Sequence, residues 1–168
     1  LSGGSFSTYQ LAYKNHLSSG KWTWNAGLSI NQSENDYPFP ESSRDNLNGE
    51  FSHYTFTNAL GYKINKEHRV ELHNWLYDGN RNLALIRPTD TKQKYENQDI
   101  RNLINWTWQT SNFESVLSTA YLREDFEFIE NIDRDASIFG QVDRYLFRHD
   151  LTYQWEKLAL QSRFSYED

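Results

Sequence analysis

The sequence predicts an all-β fold: an antiparallel, up-and-down transmembrane β-barrel segment of about eight strands. Three observations predict it. Apolar and polar residues alternate with period two along most of the chain. Short turns are expected at 15–20, 64–67, 110–112 and 156–157, separated by alternating strands and long polar connections. Each turn has an outward aromatic beside it: Tyr13 and Trp22 at the first, Tyr62 at the second, Trp108 and Phe113 at the third, Trp155 at the fourth. Trp24 and Trp106 join the same level. Aromatic rings repeated at one level of successive hairpins mark a membrane–water interface in such barrels.

Composition agrees. Of 168 residues only 37% are hydrophobic, yet 16% are aromatic, and the mean hydropathy is -0.87. Disordered chains are poor in aromatics, so the combination fits strands that are apolar on one face only. No run approaches 18 apolar residues, which excludes a transmembrane helix but not a barrel strand. There is no cysteine, hence no disulfide framework. The net charge of -6 and the lack of a basic stripe argue against nucleic acid as a partner.

Eight strands are expected in order. Strand 5–14 sets Tyr9, Leu11 and Tyr13 opposite Thr8, Gln10 and Lys14. Strand 21–32 is the clearest, with Trp22, Trp24, Ala26, Leu28 and Ile30 on one face. Strand 51–63 places Tyr54, Phe56, Leu60 and Tyr62 together, and strand 68–78 does so with Val70, Leu72 and Leu76. Strand 99–109 aligns Ile100, Ile104, Trp106 and Trp108. Strand 113–123 carries apolar residues on both parities, so its faces are undecided. Strands 143–155 and 158–166 align Tyr145, Phe147, Leu151, Tyr153 and Trp155, then Leu158, Leu160, Phe164 and Tyr166.

The opposite face holds Arg69, Glu71, Arg101, Arg148, Asp150 and Arg163. A dry core would not accept them, whereas a wide barrel has lipid outside and a polar lumen inside. The long connections, 33–50, 79–98 and about 125–142, are polar and contain all three prolines. Short turns on one side and long loops on the other place the short turns in the periplasm. Because the first connection is short, strand one runs inward from outside, and the chain is expected to be an excerpt from a larger barrel. A complete eight-stranded outer-membrane protein with an adhesive or structural role is the rival, and a soluble all-β binding module the third reading.

The run Ala26-Gly27-Leu28-Ser29 to Glu34-Asn35-Asp36-Tyr37-Pro38-Phe39-Pro40 resembles TonB-dependent outer-membrane receptors. So does the stretch from Phe56-Thr57-Asn58-Ala59-Leu60-Gly61-Tyr62 through His68-Arg69-Val70-Glu71-Leu72, closest to the vitamin B12 and siderophore branch. The similarity is one of pattern and local phrase over most of the chain. It implies a 22-stranded barrel in the bacterial outer membrane, closed by a plug domain that is not within these residues. It also implies uptake of a scarce small-molecule ligand, an iron-siderophore, haem or cobalamin, with energy from TonB through an N-terminal region outside this segment. The partners implied are outer-membrane lipid, the remaining barrel and the plug.

Candidate site residues follow from the external loops. Tyr37-Pro38-Phe39-Pro40 forms a stiff aromatic projection, since proline fixes φ and restricts its predecessor; Tyr37 and Phe39 are the stacking candidates. Arg44, Arg81 and Arg87 are candidates to grip an anionic chelate by bidentate contacts. Glu34, Asp36, Glu41 and Asp45 share one loop and offer carboxylate oxygens to calcium, against the commoner reading of a solvated acidic loop. His53 and His73 share the polar face and are read as lumen residues, with a metal pair as the lesser reading. No zinc spacing, phosphate-binding glycine loop or serine with a paired base is found, so neither an enzyme nor a cofactor is expected.

Overall fold

A computed structural model describes residues 1–38, 44–85, 87, 89–134 and 136–168. The described chain contains strands and no helix, and all strands join one antiparallel sheet in sequence order. They are β1 (Ser2–Gly4), β2 (Thr8–Ser19), β3 (Trp22–Ser33), β4 (Phe51–Lys63), β5 (His68–Leu83), β6 (Gln93–Gln109), β7 (Phe113–Asn131), β8 (Ala136–Gln154) and β9 (Ala159–Glu167). The sheet is open, with β1 and β9 at its edges. Eight of the nine are the expected strands; the ninth is the three-residue β1, too short to show a period.

Turns at Ile64–Glu67 and Thr110–Asn112 lie where the alternation stops. The fourth spans Trp155–Leu158, closed by Trp155 N–H donating to the Leu158 carbonyl at 2.7 Å. The first turn differs from expectation. Strand pairing continues to Ser19 opposite Trp22, leaving only Gly20 and Lys21 as the loop. Gly20 has φ +57°, at the first central position of the loop, where a type II′ hairpin needs glycine. The polar residues of 15–19 had suggested a loop, but they are ordinary partners in the ladder.

Two of the long connections are also corrected. Strands β5 and β6 run on to leave only 84–92 between them, and β7 and β8 leave only 132–135. The segments 79–98 and 125–142 are therefore mostly tall hairpins. Beyond the apolar run the outward residues turn polar, as at Lys94, Glu96, Asp125 and Glu127, and apolar residues such as Phe126 and Phe128 face inward, while backbone pairing persists. The described parts of the 33–50 connection, 34–38 and 44–50, lie outside the strands and are tied to the neighbouring hairpin by Asn48 Nδ2 donating to the carbonyls of Leu83 (2.9 Å) and Gln93 (3.1 Å).

Among the described residues, Leu85 is the sole buried hydrophobic side chain. A curved sheet one layer thick has no second layer to bury against. What the register does is separate two faces. Trp22 pairs with Tyr62, Tyr62 with Val70, Val70 with Trp106 and Trp106 with Leu117, so one face is continuous and apolar. Arg69, Arg101 and Arg148 stand on the other, as expected. β7 is resolved by the same pairing: Phe113, Leu117 and Tyr121 lie on the apolar face, Val116, Ala120 and Leu122 on the charged one.

Replacing Gly20 by alanine should cost ~1–2 kcal/mol, because the left-handed conformation crowds a Cβ, while Gly20→Asn should lose less. Urea midpoints of the full-length protein and the two variants check the order.

Candidate functional site

The charged face is the concave one. A cavity of about 810 Å³ is lined by residues from β2 to β8, including Lys14, His16, His73, Trp75, Arg101 and Leu122. Trp75, Leu103, Leu122 and Leu146 are apolar members of its lining, which includes no Asp or Glu. Two of the inward apolar residues of β7, Ala120 and Leu122, line it.

A row of rings leads down this wall. Phe51 lies 5.1 Å from His53, His53 lies 5.9 Å from Tyr77, and Tyr77 stacks on Trp75 at 5.7 Å with an interplanar angle of 3°. The Arg101 guanidinium sits 4.6 Å over the Trp75 ring, an arrangement in which the ring quadrupole attracts the cation. Strand alternation makes the row: Phe51 and His53 are two apart on β4, Trp75 and Tyr77 two apart on β5, and Thr55 pairs with Tyr77 between them.

Ion pairs run sideways from Arg101. Glu124 bridges Arg101 and Arg144, each at 3.2 Å, and Asp99 lies 3.7 Å from Arg101. Further along, Asp150 takes Arg148 at 2.8 Å and Arg163 at 2.5 Å. Burial lifts the Asp99 carboxyl above the usual carboxylate range, Arg101 opposing and Glu124 and Asp125 adding to the rise. Tyr77 is raised too, by burial first and then by Asp99 and Asp78. Both residues stand just beyond the apolar run of their strands.

On the opposite face the apolar run has the same length on most strands: Trp22–Ile30, Tyr54–Tyr62, His68–Leu76, Ile100–Trp108, Phe113–Tyr121 and Tyr145–Tyr153. Beyond each run the outward residue turns polar, at Gln32, Ser52, Asp78, Gln98, Arg123 and Asp143. Nine residues are about 26 Å of strand, or ~20 Å of height at a ~40° tilt.

The turn-side border is a belt of rings in contact. Trp22 and Tyr62 are 4.4 Å apart, His68 stacks on Trp106 and Trp108, Trp108 meets Phe113 at 4.9 Å, and Tyr153 meets Trp155 at 4.6 Å. Trp24 pairs with Leu60 one step inward. Tyr13 does not belong to this belt: with the first turn at Gly20–Lys21, it stands mid-strand opposite Leu28. A second border, unnoticed in the sequence, is formed by tyrosines at the far ends of the runs: Tyr9, Tyr54, Tyr121, Tyr145 and Tyr166. Their even offset from the turns was the available signal.

The loop candidates are dispersed. Tyr37 packs edge-on against Phe6 at 5.8 Å, while Phe39 and Glu41 lie outside the described residues. Arg81 belongs to β5, opposite Phe51 and Tyr95. Arg87 pairs with Asp90 at 3.0 Å within its own turn. Arg44 lies next to Asp45, which bridges to Pro38. None of these arginines lines the concave cavity. Among the described residues no group of three His, Asp or Glu side chains is placed to hold a metal ion, so Glu34, Asp36 and Asp45 do not assemble as one. His53 and His73 are six positions apart along the ladder, since His73 pairs with Ala59. That is ~20 Å, too far to share an ion.

No protein-family model matches the chain, and no curated protein sequence matches it.

Glu124→Gln should destabilise the protein by ~1 kcal/mol or less, because the pairs it bridges are partly solvated. Trp75→Ala should cost more, since it removes both the stack on Tyr77 and the seat of Arg101. Unfolding midpoints of the two variants provide the comparison.

Proposed function

We propose that this chain forms part of the wall of an outer-membrane β-barrel, and that the barrel is a transport receptor of the TonB-dependent type. The observation that carries the reading is the apolar face: a run of nine residues on strand after strand, ringed by aromatics at both ends. Nine residues is the length with which a tilted strand crosses a hydrocarbon layer. Aromatic girdles at both borders are what such barrels carry. A sheet with Leu85 alone as its buried hydrophobic side chain among the described residues must have that face covered by something apolar.

Three further features support a receptor rather than a closed small barrel. The edges β1 and β9 are not paired with each other, which leaves room for more strands. The hairpins β5–β6 and β7–β8 rise beyond the apolar run and so project outside, with the short turns in the periplasm. The concave wall offers a path of rings leading to a cavity of ligand size. The cargo class, an iron-siderophore, haem or cobalamin, rests on the resemblance in the β3–β5 segment.

In outer-membrane vesicles, lipid-borne quenchers should dim Trp22, Trp106 and Trp108 and spare Trp75, each measured in a single-tryptophan variant. Equal quenching of Trp75 would overturn the orientation. Leu28→Arg should cost ~2–4 kcal/mol near mid-depth, whereas Asn31→Arg on the concave face should cost well under 1 kcal/mol. For the transport role, deletion of the gene should abolish growth on limiting siderophore-iron or cobalamin, restored by the full-length protein. Undiminished uptake of all the tested cargoes in the deletion strain would sink it.

A further inference from the structure

Of the four buried side chains among the described residues, three lie together: Ser33, Asn46 and Leu85. They sit at the end of the sheet away from the short turns, where the segment 44–50 meets the β5–β6 hairpin. All four non-glycine residues with left-handed backbone among the described residues, Phe6, Ser7, Asn35 and Asn48, belong to the same place. Side chains other than glycine disfavour that conformation, so it persists where surrounding contacts enforce it.

Asn48 joins the segment to the hairpin. Its Nδ2 uses both hydrogens, on the carbonyls of Leu83 and Gln93, the last pair of the hairpin ladder. Its Oδ1 accepts from Asn82 Nδ2 at 3.3 Å. The backbone on either side follows: Leu85 N–H donates to the Leu47 carbonyl at 3.0 Å, and Asn82 N–H to the Glu50 carbonyl at 2.9 Å. Behind it, Asn35 Nδ2 donates to the Gly49 carbonyl at 3.2 Å and Asn46 Nδ2 to the Asn35 carbonyl at 2.6 Å. Asn48 is also followed by Gly49, the sole Asn-Gly step in the sequence. Glycine carries no Cβ, so its backbone nitrogen can close on the side-chain carbon of the asparagine before it.

We propose that Asn48 is a modification site, a deamidation-sensitive catch that fastens the segment 44–50 to the β5–β6 hairpin. In the reaction the Gly49 nitrogen bonds to Asn48 Cγ, its proton passes through water to the side-chain nitrogen, and ammonia leaves a five-membered succinimide. Water then opens the ring to aspartate or to its isomer with the backbone routed through the side-chain carbonyl. Fastened, the catch suppresses this chemistry: Nδ2 is held on two carbonyls and Oδ1 on Asn82, so the amide is not free to turn onto the Gly49 nitrogen. Once formed, aspartate has no side-chain N–H to donate, and its carboxylate faces the carbonyl oxygens of Leu83 and Gln93. The segment is then released, and the release runs one way. This goes beyond the transport reading and holds whether or not the outer face meets lipid.

For the test, the full-length protein is aged folded and in urea, and the peptide bearing Asn48 is followed by mass spectrometry. Conversion should proceed in urea and run at least about tenfold slower in the folded protein, at roughly fivefold for each of the two bonds that hold Nδ2. Asn82→Ala, which frees Oδ1, should speed the folded reaction several-fold and leave the urea rate unchanged. Release is read separately by hydrogen exchange. In Asn48→Asp the amides of Asn82 and Leu85 should exchange at least about tenfold faster, while those of Val70 and Leu72, lower on β5, stay as they were. If Asn48→Asp does not fold, Asn48→Gly, which keeps the left-handed backbone and removes all three side-chain bonds, is read the same way. No conversion in urea, or equal rates folded and unfolded, overturns the modification site. Unchanged exchange at Asn82 and Leu85 overturns the catch.

Discussion

Everything in this molecule depends on the hydrogen-bonded ladder of a sheet that has no second layer. Each strand from β2 to β9 is paired with its neighbours in sequence, whereas side-chain burial is almost absent among the described residues. In a globular domain the apolar face of a sheet is hidden by another sheet or by helices, and that burial supplies most of the stability. Here the ladder holds the strands in register, and the register keeps two chemically opposed faces apart. A slip of one residue would exchange them entirely. Cross-strand pairs such as Trp22 with Tyr62 and Leu28 with Phe56 resist that slip on one face. The bridges Arg101–Glu124–Arg144 resist it on the other.

The two faces set different rules for the same residue types. On the outer face aromatics gather at the two ends of the apolar run, Trp22, Tyr62 and Trp108 at one and Tyr54, Tyr121 and Tyr145 at the other. An aromatic on the concave face, such as Trp75 or Tyr77, stacks on its neighbour and takes a cation. Asparagine shows the same division. Asn48 caps a hairpin end beyond the apolar run, while Asn58, Asn74 and Asn102 bond to one another in a row across the apolar face that ends opposite Tyr121. Placement, not identity, decides what each side chain does.

The tall hairpins extend the ladder past the apolar run and change its chemistry. On the outer face the change is abrupt. Tyr121 donates to Asp143 at 2.7 Å, and Arg123 ties Asp125 and Gln141 into the same network. On the concave face rings persist higher, with Tyr95 stacked on Phe126 at 6.3 Å and Phe126 lying over Gly140, where a Cβ would strike its ring. The extended wall is thus mostly polar outward, with Phe139 an exception, and part aromatic inward.

How much of this was legible beforehand depends on the range of the interaction concerned. Period-two alternation is local, and it alone determined the strands from Trp22 to Tyr166, the turns at 64–67 and 110–112, and the division of faces on every strand but 113–123, which needed the register. The first turn was misplaced because polar residues such as Asn15 and Ser18 read as loop when their ladder partners are unknown. The tall hairpins were missed because beyond the apolar run the outward residues turn polar and the apolar parity changes face, as Asp125-Phe126-Glu127-Phe128 shows. Sequence also pointed to Tyr37, Arg44, Arg81 and Arg87 as site residues, on the ground that loops carry function. The ring row Phe51–His53–Tyr77–Trp75, the amide row Asn58–Asn74–Asn102 and the tyrosine border could be decided only by the tertiary structure. Each unites residues from different strands, and which residues face each other across strands is set by register, a property of the assembled sheet and not of any segment within it.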